Sequence, residues 1–322
     1  MQPANQHREA NGRWGGLRRG GGRGRLTTAV EPCGAPVDGI PPRGVYVQTF
    51  GGFCLYQDGV PVPPAAWRRG AARRLLVFLL LTEGHFVCRA QLAAALWPEL
   101  ASASAASSLR VALHALRRVL QPDLPPRAPS AYLEVGPSGC RLVPRPDVRW
   151  DVGELRRGLR EAAAASDEVV AAAALSRGLA GVRGPWLSEE DGLSAFAVWQ
   201  WRLTAEAVGA ATRLAGIAMD GGDPDAAIRW AGRALELDPV AEPAHVLVVR
   251  ALAARGLTAQ ARAAYAAGCR QLREQLDVDP GPELRLAGAE AGILAPLPAR
   301  KDPWPASRSW LERQAVGAAV RP

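Results

Sequence analysis

The stretch Ala103–Leu120, ASAASSLRVALHALRRVL, decides the fold of the first half of this chain. At about 100° per residue, its four leucines lie on one side and predict a core face. Those leucines are Leu109, Leu113, Leu116 and Leu120. The opposite side carries Arg110, His114 and Arg117, with Ser107 and Arg118 beside them. Arginine reads guanine and binds phosphate, so this face fits DNA, although a solvated amphipathic helix would show the same pattern.

The neighbouring elements favour DNA binding. Alternating apolar residues and the turn Asp58-Gly59 predict a small antiparallel sheet before the helices. The expected elements, in chain order, are strands at Val45–Thr49 and Phe53–Tyr56 and one through Val60 and Val62, helices at about Trp67–Thr82, Arg89–Leu96 and Ala103–Leu120, and a hairpin of Tyr132–Val135 and Cys140–Val143. This is the order of a winged helix-turn-helix, whose third helix enters the major groove. The hairpin is the wing, on which Arg141 and Arg145 are placed to reach a backbone phosphate.

Short motifs over this segment resemble the OmpR-type winged helix of the Streptomyces antibiotic regulatory protein (SARP) family. They are Phe50-Gly-Gly-Phe53, Asp58-Gly59, Arg73-Arg74-Leu-Leu, Leu96-Trp97-Pro98, Leu109-Arg110 and Leu116-Arg-Arg-Val-Leu120. The wing of the family usually ends in Gly-Tyr-Arg-Leu, whereas this chain has Gly139-Cys140-Arg141-Leu142. The change removes a ring that would pack or contact phosphate.

Residues 151–295 are rich in Ala, Leu and Arg at helical spacing and predict helices alone. Those helices are expected at about Val152–Ala164, Asp167–Leu179, Leu193–Met219, Pro224–Leu237, Ala241–Ala254 and Thr258–Leu276. Gly222 and Ala227 recur 34 residues later as Gly256 and Ala261, a spacing typical of tetratricopeptide (TPR) repeats. Aromatic side chains are frequent here and fit either an interface or core anchors. They are Trp186, Phe196, Trp199, Trp201 and Trp230.

This second segment resembles the bacterial transcriptional activator domain (BTAD) of the same family. The motifs are Trp150-Asp151, Gly184-Pro-Trp-Leu187, Leu272–Asp277 and Pro280-Gly-Pro-Glu-Leu284. The resemblance implies a helical domain that assists dimerisation and packs on the DNA reader. It further implies a homodimer on direct repeats in double-stranded promoter DNA, and contact with RNA polymerase.

The charge separates the two segments of this basic chain, which has a net charge of +8. Residues 45–150 hold 12 basic and 6 acidic residues, whereas residues 151–295 hold 15 and 20. We expect a mainly α protein, with an α+β winged helix-turn-helix domain followed by an all-α, TPR-like helical array. The expected divisions are a disordered arm at 1–44, the winged helix at 45–148, the BTAD at 149–292 and a disordered tail at 293–322.

Several classes of protein are excluded by missing motifs. Lys301 is the sole lysine and lies in no phosphate-binding loop, and there is no Gly-x-Ser-x-Gly or His-Glu-x-x-His motif. Five scattered cysteines predict free thiols and no zinc site. The apolar run Leu75–Leu81 is too short to span a bilayer, and no secretory signal is recognisable. We therefore expect no catalysis, cofactor, metal or membrane, and a cytoplasmic location.

The sequence predicts a DNA-binding transcriptional regulator, most simply an activator. The residues expected to contact DNA are Ser107, Arg110, His114, Arg117, Arg118 and Arg141. The alternative is a helical protein-binding scaffold whose winged helix has lost DNA binding. A third function, a switch gated by a small effector bound to the array, is not tested by any motif.

Overall fold

The computed structural model describes residues 43–67, 70–187 and 194–293. The expected arm and tail lie outside these ranges except for their innermost residues. The strands are β1 Val45–Gln48, β2 Cys54–Gln57, β3 Val60–Pro61, β4 Leu133–Val135, β5 Cys140–Leu142 and β6 Val148–Trp150. The helices are α1 Ala71–Leu81, α2 Arg89–Leu96, α3 Ser102–Leu120, α4 Asp151–Ala163, α5 Glu168–Leu179, α6 Ser194–Asp220, α7 Pro224–Leu237, α8 Glu242–Ala254, α9 Thr258–Leu276 and α10 Pro282–Glu290.

The first sheet has four strands in the order β3-β2-β1-β6. β1 and β2 pair antiparallel, as expected, with Tyr46 opposite Tyr56. The fourth strand, β6, pairs parallel to β1 and was not predicted, because three residues are too few to show a period of two. The domain boundary expected at residue 148 therefore falls inside a strand of the sheet.

The start of the first α-helix differs from the expected one. Pro64–Trp67 forms a short 3-10 helix, and α1 begins only at Ala71, after Gly70 in the left-handed region at φ 69°. α2 has the predicted bounds and is capped by Cys88, whose sulfur accepts a hydrogen bond from the Gln91 N–H at 3.3 Å. α1, α2 and α3 then enclose a leucine-rich core.

The helical array has the expected 34-residue repeat. Gly222 and Gly256 both adopt positive φ, 75° and 72°, just after a helix, and Ala227 and Ala261 are both fully buried. The repeat breaks further on because α9 continues to Leu276, whereas α7 ends at Leu237.

α10 was not predicted as a helix. It begins with Pro282 at its first turn and buries Leu284 and Ala287 against Val246 and Val249 of α8. Pro-Glu at a helix start is a recognised signal, but nine residues between a proline-rich turn and the end of the periodic pattern were too few to reveal it.

A buried carboxylate joins the sheet to the array. Asp151, the first residue of α4, is completely buried and accepts hydrogen bonds from the Thr49 N–H, the Thr49 hydroxyl and the Phe50 N–H at 2.5, 2.6 and 2.6 Å. The Thr49 hydroxyl in turn accepts a 2.8 Å bond from the indole N–H of Trp186. The loop after β1 is thereby fixed to the array.

One expectation about the cysteines is wrong. Cys88, Cys140 and Cys269 are free thiols, but Cys54 takes part in a disulfide. Within the described ranges, no helix is both long and apolar enough to traverse a lipid bilayer.

Candidate nucleic-acid interface

The helix-turn-helix is formed by α2 and α3, with the turn around Trp97-Pro98. α3 packs its leucines on α1 and α2, and Leu109, Leu113 and Leu116 are buried. This packing fixes which side of α3 faces outward, because the core face of a helix leaves the opposite face exposed.

The outward side of α3 is a straight row that we name the outer stripe: Ser107, Val111, His114 and Arg118. Their spacing of four, three and four residues aligns them along the helix, roughly opposite the buried leucines. All four are exposed. Ser107, His114 and Arg118 were predicted as DNA contacts, and α3 presents the three together. Val111, which is 66% exposed, was missed because candidates were chosen for polar chemistry rather than for position.

Arg110 and Arg117 flank the outer stripe on one side. Arg110 is exposed, whereas Arg117 is half-buried, and its Nε atom is buried without a hydrogen-bond partner. Among the described residues, neither these two nor Arg118 forms an ion pair. The reason is local, because Glu99 is the only acidic residue between positions 89 and 120. The face therefore keeps its positive charge available to a ligand.

The wing is the β4–β5 hairpin. Arg141 lies opposite Glu134 and forms an ion pair with it at 2.7 Å, and its guanidinium also stacks 4.7 Å from the centre of the Phe86 ring. The predicted phosphate contact is therefore already held by protein groups, unlike the arginines of α3. Arg145 is likewise paired, with Asp147 at 2.7 Å.

Position 140, where the family usually has tyrosine, points into the protein. Cys140 is fully buried, and burial raises the pKa of its thiol to about 11, so the thiol stays protonated at neutral pH. Gly139 beside it adopts φ 154°, and an added Cβ would lie 2.0 Å from the Val87 carbonyl oxygen. The substitution therefore affects packing under the wing rather than a group facing outward.

Arg89 is a second residue that sequence reasoning missed. It starts α2 and donates a 3.1 Å hydrogen bond to the Gly136 carbonyl in the wing turn. Its signal was weak, because a single arginine at a helix start indicates nothing about a hairpin 47 residues away.

Some aromatic residues of the array are core anchors, whereas another is exposed, as an interface residue would be. Trp186 and Phe196 are fully buried and meet edge to face at 5.8 Å between ring centres, so they are core anchors. Trp199 and Trp230 are half-buried, whereas Trp201 is 75% exposed. Over the same described residues, no cluster of three His, Cys, Asp or Glu side chains could hold a metal ion.

Comparison with known proteins finds a match for the helical array. A family model described as "Bacterial transcriptional activator domain" matches residues 150–290. The match covers 141 of the 322 residues, and the helical array is similar to this domain. The matched region, which we call the activator domain, starts at the last residue of β6 and includes all of α4 to α10.

A curated relative covers both parts. The chain is 30% identical over 238 residues to "Regulatory protein AfsR" of Streptomyces coelicolor, which is 70% of this chain and 23% of AfsR. The chain therefore spans about a quarter of the length of that relative. Of solved structures, Mycobacterium tuberculosis EmbR in complex with a low affinity phosphopeptide matches with a TM-score of 0.60 and 24% identity. That match covers 86% of this chain and 70% of EmbR, and it shows the fold.

Together, these similarities confirm the predicted SARP-type resemblance and the predicted fold class. The matched family model is described as a domain of bacterial transcriptional activators, and the curated relative is named a regulatory protein.

Proposed function

We propose that this chain is a sequence-specific, DNA-binding transcriptional activator of the SARP type. Its α3 helix enters the major groove of promoter DNA, and its wing lies along the backbone. The observation that carries the proposal is the outward face of α3, where Arg110 and Arg118 are exposed and form no ion pair with any described residue, opposite a buried leucine core. Unpaired arginines lose no protein partner when they bind DNA, so their charge is fully available to phosphates and base edges.

The residues of α3 divide into two roles by position. Arg110 flanks the outer stripe near its centre and reads a guanine, since a guanidinium forms two hydrogen bonds to guanine O6 and N7. Ser107 and His114 lie on the stripe itself and contact base edges. Arg118 is near the carboxyl end of α3, where the helix leaves the groove, and it binds a phosphate. Arg117 is half-buried on the same side of the helix as Arg110, where it adds positive charge.

The wing supplies a weaker contact. The ion pair of Arg141 with Glu134 is partly exposed, with 35% and 48% of the two side chains accessible, and such pairs contribute little to stability. A DNA phosphate can therefore take the place of Glu134. Because Arg141 must exchange one anion for another, we expect it to contribute less than Arg118.

The activator domain then serves a second partner. Residues 149–292 would connect two copies of the chain on direct repeats and contact RNA polymerase in the cytoplasm. The buried hydrogen bonds from Thr49 and Phe50 to Asp151 hold the DNA-binding part at a fixed position on the array. This fixed connection supports a protein in which one part binds DNA and the other contacts a second partner. The winged helix would comprise residues 45–148, although the last two residues of β6, which completes its sheet, lie beyond that boundary.

The test is a binding experiment on the full chain. Duplexes enriched from a random-sequence pool are titrated with wild type, Arg110→Ala and the control Arg255→Ala, at two salt concentrations. Arg255 is exposed but lies on the array, paired with Asp225 at 2.5 Å. We expect Arg110→Ala to lose about 1–3 kcal/mol of specific affinity, roughly five- to 150-fold, and Arg255→Ala to bind like wild type.

Two results would contradict the proposal. If the wild-type chain enriches no duplex, or binds without salt dependence, the scaffold function is favoured instead. If Arg110→Ala discriminates between sites as well as wild type does, the role given to Arg110 is wrong.

A further inference from the structure

Val111 is the one apolar side chain on the outer stripe of α3. It follows Ser107 by one helical turn and precedes His114 by nearly one, so it lies in the middle of the row that faces away from the core. Its side chain is 66% exposed. Every other member of the stripe carries a polar or charged group.

Folding gives no reason for a valine at this position. An exposed residue gains no burial in the folded chain, and a β-branched side chain lowers helix propensity relative to alanine. Among the described residues, Val111 belongs to no core cluster, whereas its neighbours Ala112 and Leu113 are buried. The methyl groups of Val111 are therefore available for a surface outside this chain.

The major groove offers a single kind of apolar group at its floor. Each base pair presents donors and acceptors there, and only thymine adds a methyl group, on C5. A side chain without hydrogen-bonding atoms, held at the centre of a groove-facing row, therefore matches the thymine methyl, which needs no hydrogen-bond partner and which the other three bases lack.

We propose that Val111 is a specificity-determining residue that contacts the C5 methyl of a thymine, so that the protein prefers that base at one position of its site. The inference rests on the proposed function, since it requires α3 to enter the major groove. Arg110 and His114, on either side of Val111, then read the adjacent bases. At its own position, Val111 favours thymine over the other three bases by shape.

The experiment removes the two methyl partners one at a time. In the duplex enriched by the wild-type chain, each thymine is replaced singly by deoxyuracil, which deletes only the C5 methyl. We expect wild type to lose about three- to fivefold in affinity at one position, the effect of one buried methyl-sized group. In Val111→Ala that penalty should disappear. In Val111→Thr, which keeps one methyl, it should be intermediate.

The control is Val198→Ala. Val198 is 70% exposed on α6, so it matches Val111 in exposure and in helical context but lies on the array. This variant should retain the full deoxyuracil penalty. Circular dichroism checks that each variant is folded, and alanine, the better helix former, should not destabilise α3.

The outcomes separate the two proposals. A wild-type chain that enriches no duplex overturns the proposed function and this inference together. A wild-type chain that binds specifically but shows equal deoxyuracil penalties in Val111→Ala overturns the inference alone. Complete loss of binding by a folded Val111→Ala would also overturn it, because one methyl contact cannot account for so large an effect.

Discussion

The arginines of α3 and those of the activator domain differ in how many acidic residues surround them. Along the array, several arginines meet carboxylates: Arg177 with Glu161 at 2.8 Å, Arg250 with Glu290 at 3.0 Å, and Arg255 with Asp225 at 2.5 Å. On α3, Arg110 and Arg118 are exposed but meet none among the described residues. Both regions are arginine-rich, so arginine content does not distinguish them. The array also holds exposed arginines that form no ion pair with a described residue, such as Arg229, Arg262 and Arg270, but its 15 basic residues are accompanied by 20 acidic ones. α3 itself holds no acidic residue, and this makes its surface the candidate DNA interface.

The largest expected effect comes from truncating a core leucine on the side of α3 opposite its unpaired arginines. Leu116 is completely buried on the core side of α3. Leu116→Ala should lower the free energy of unfolding by about 2–5 kcal/mol, because the truncation leaves a cavity. Urea unfolding followed by circular dichroism measures it. Leu286→Ala, at a 52% exposed position of α10, is the matched control and should change little. Equal losses in the two variants would contradict the assignment of the α3 core face.

A smaller loss is expected where the two regions are joined. Asp151→Asn replaces an oxygen acceptor by an NH2 group that faces N–H and O–H donors from Thr49, Phe50 and Val152. We expect a loss of about 1–3 kcal/mol of unfolding free energy, the usual cost of a mispaired buried polar group. Chemical denaturation provides the measurement. An unchanged midpoint would show that these bonds do not hold the reader on the array.

The same carboxylate predicts a pH dependence. Burial raises the pKa of Asp151 from 3.8 to about 6, although hydrogen bonds from Thr49, Phe50 and Val152 oppose the rise. The folded chain therefore takes up this proton at higher pH than the unfolded chain does. The stability gained from the proton is complete below about pH 4 and is lost as the pH rises through about 6.

This effect is measured as the unfolding free energy of wild type minus that of Asp151→Asn, between pH 4 and 7. The difference should decrease as the pH rises. A difference that is flat, or that grows with pH, would show that the pKa of Asp151 is not raised.

The smallest effects sharpen the comparison between paired and unpaired arginines. Arg118→Ala should weaken binding to all duplexes alike and reduce the slope of log affinity against log salt by about one. Arg141→Ala should act in the same direction but less, since the Glu134 ion pair already holds its guanidinium. Fluorescence anisotropy over a salt series measures both slopes. A larger effect for Arg141 than for Arg118 would reverse the proposed ranking.

The parts of the fold that the sequence predicted are those that local periodicity encodes. The bounds of α2 were predicted as observed, and the leucine face of α3 followed from spacing alone. The repeat from Gly222 to Gly256 was visible because two glycines end equivalent helices. The parts that were missed, β6 and α10, are short segments that depend on distant partners. Val148 pairs with Val45, and Leu284 packs on Val249.

In the candidate interface, too, some features follow from the local sequence and others depend on distant residues. The polar residues of α3 could be chosen from chemistry, and their common outward face follows from helix geometry. Val111 could have been found from its angular position, but no rule of residue type selects a valine. That Arg141 is paired with Glu134, and that Cys140 is buried, depends on hairpin register and on the Val87 bridge.

By itself, the sequence determined which side of α3 is basic, that an α+β module precedes a helical array, and where the helices of that array repeat. These properties arise from neighbours within one or two turns, whose spacing is fixed by the geometry of the helix. Only the tertiary structure decided which arginines keep an unneutralised charge and how Asp151 ties the sheet to the array. Those properties depend on groups up to 102 residues apart in the chain, whose proximity no local pattern encodes.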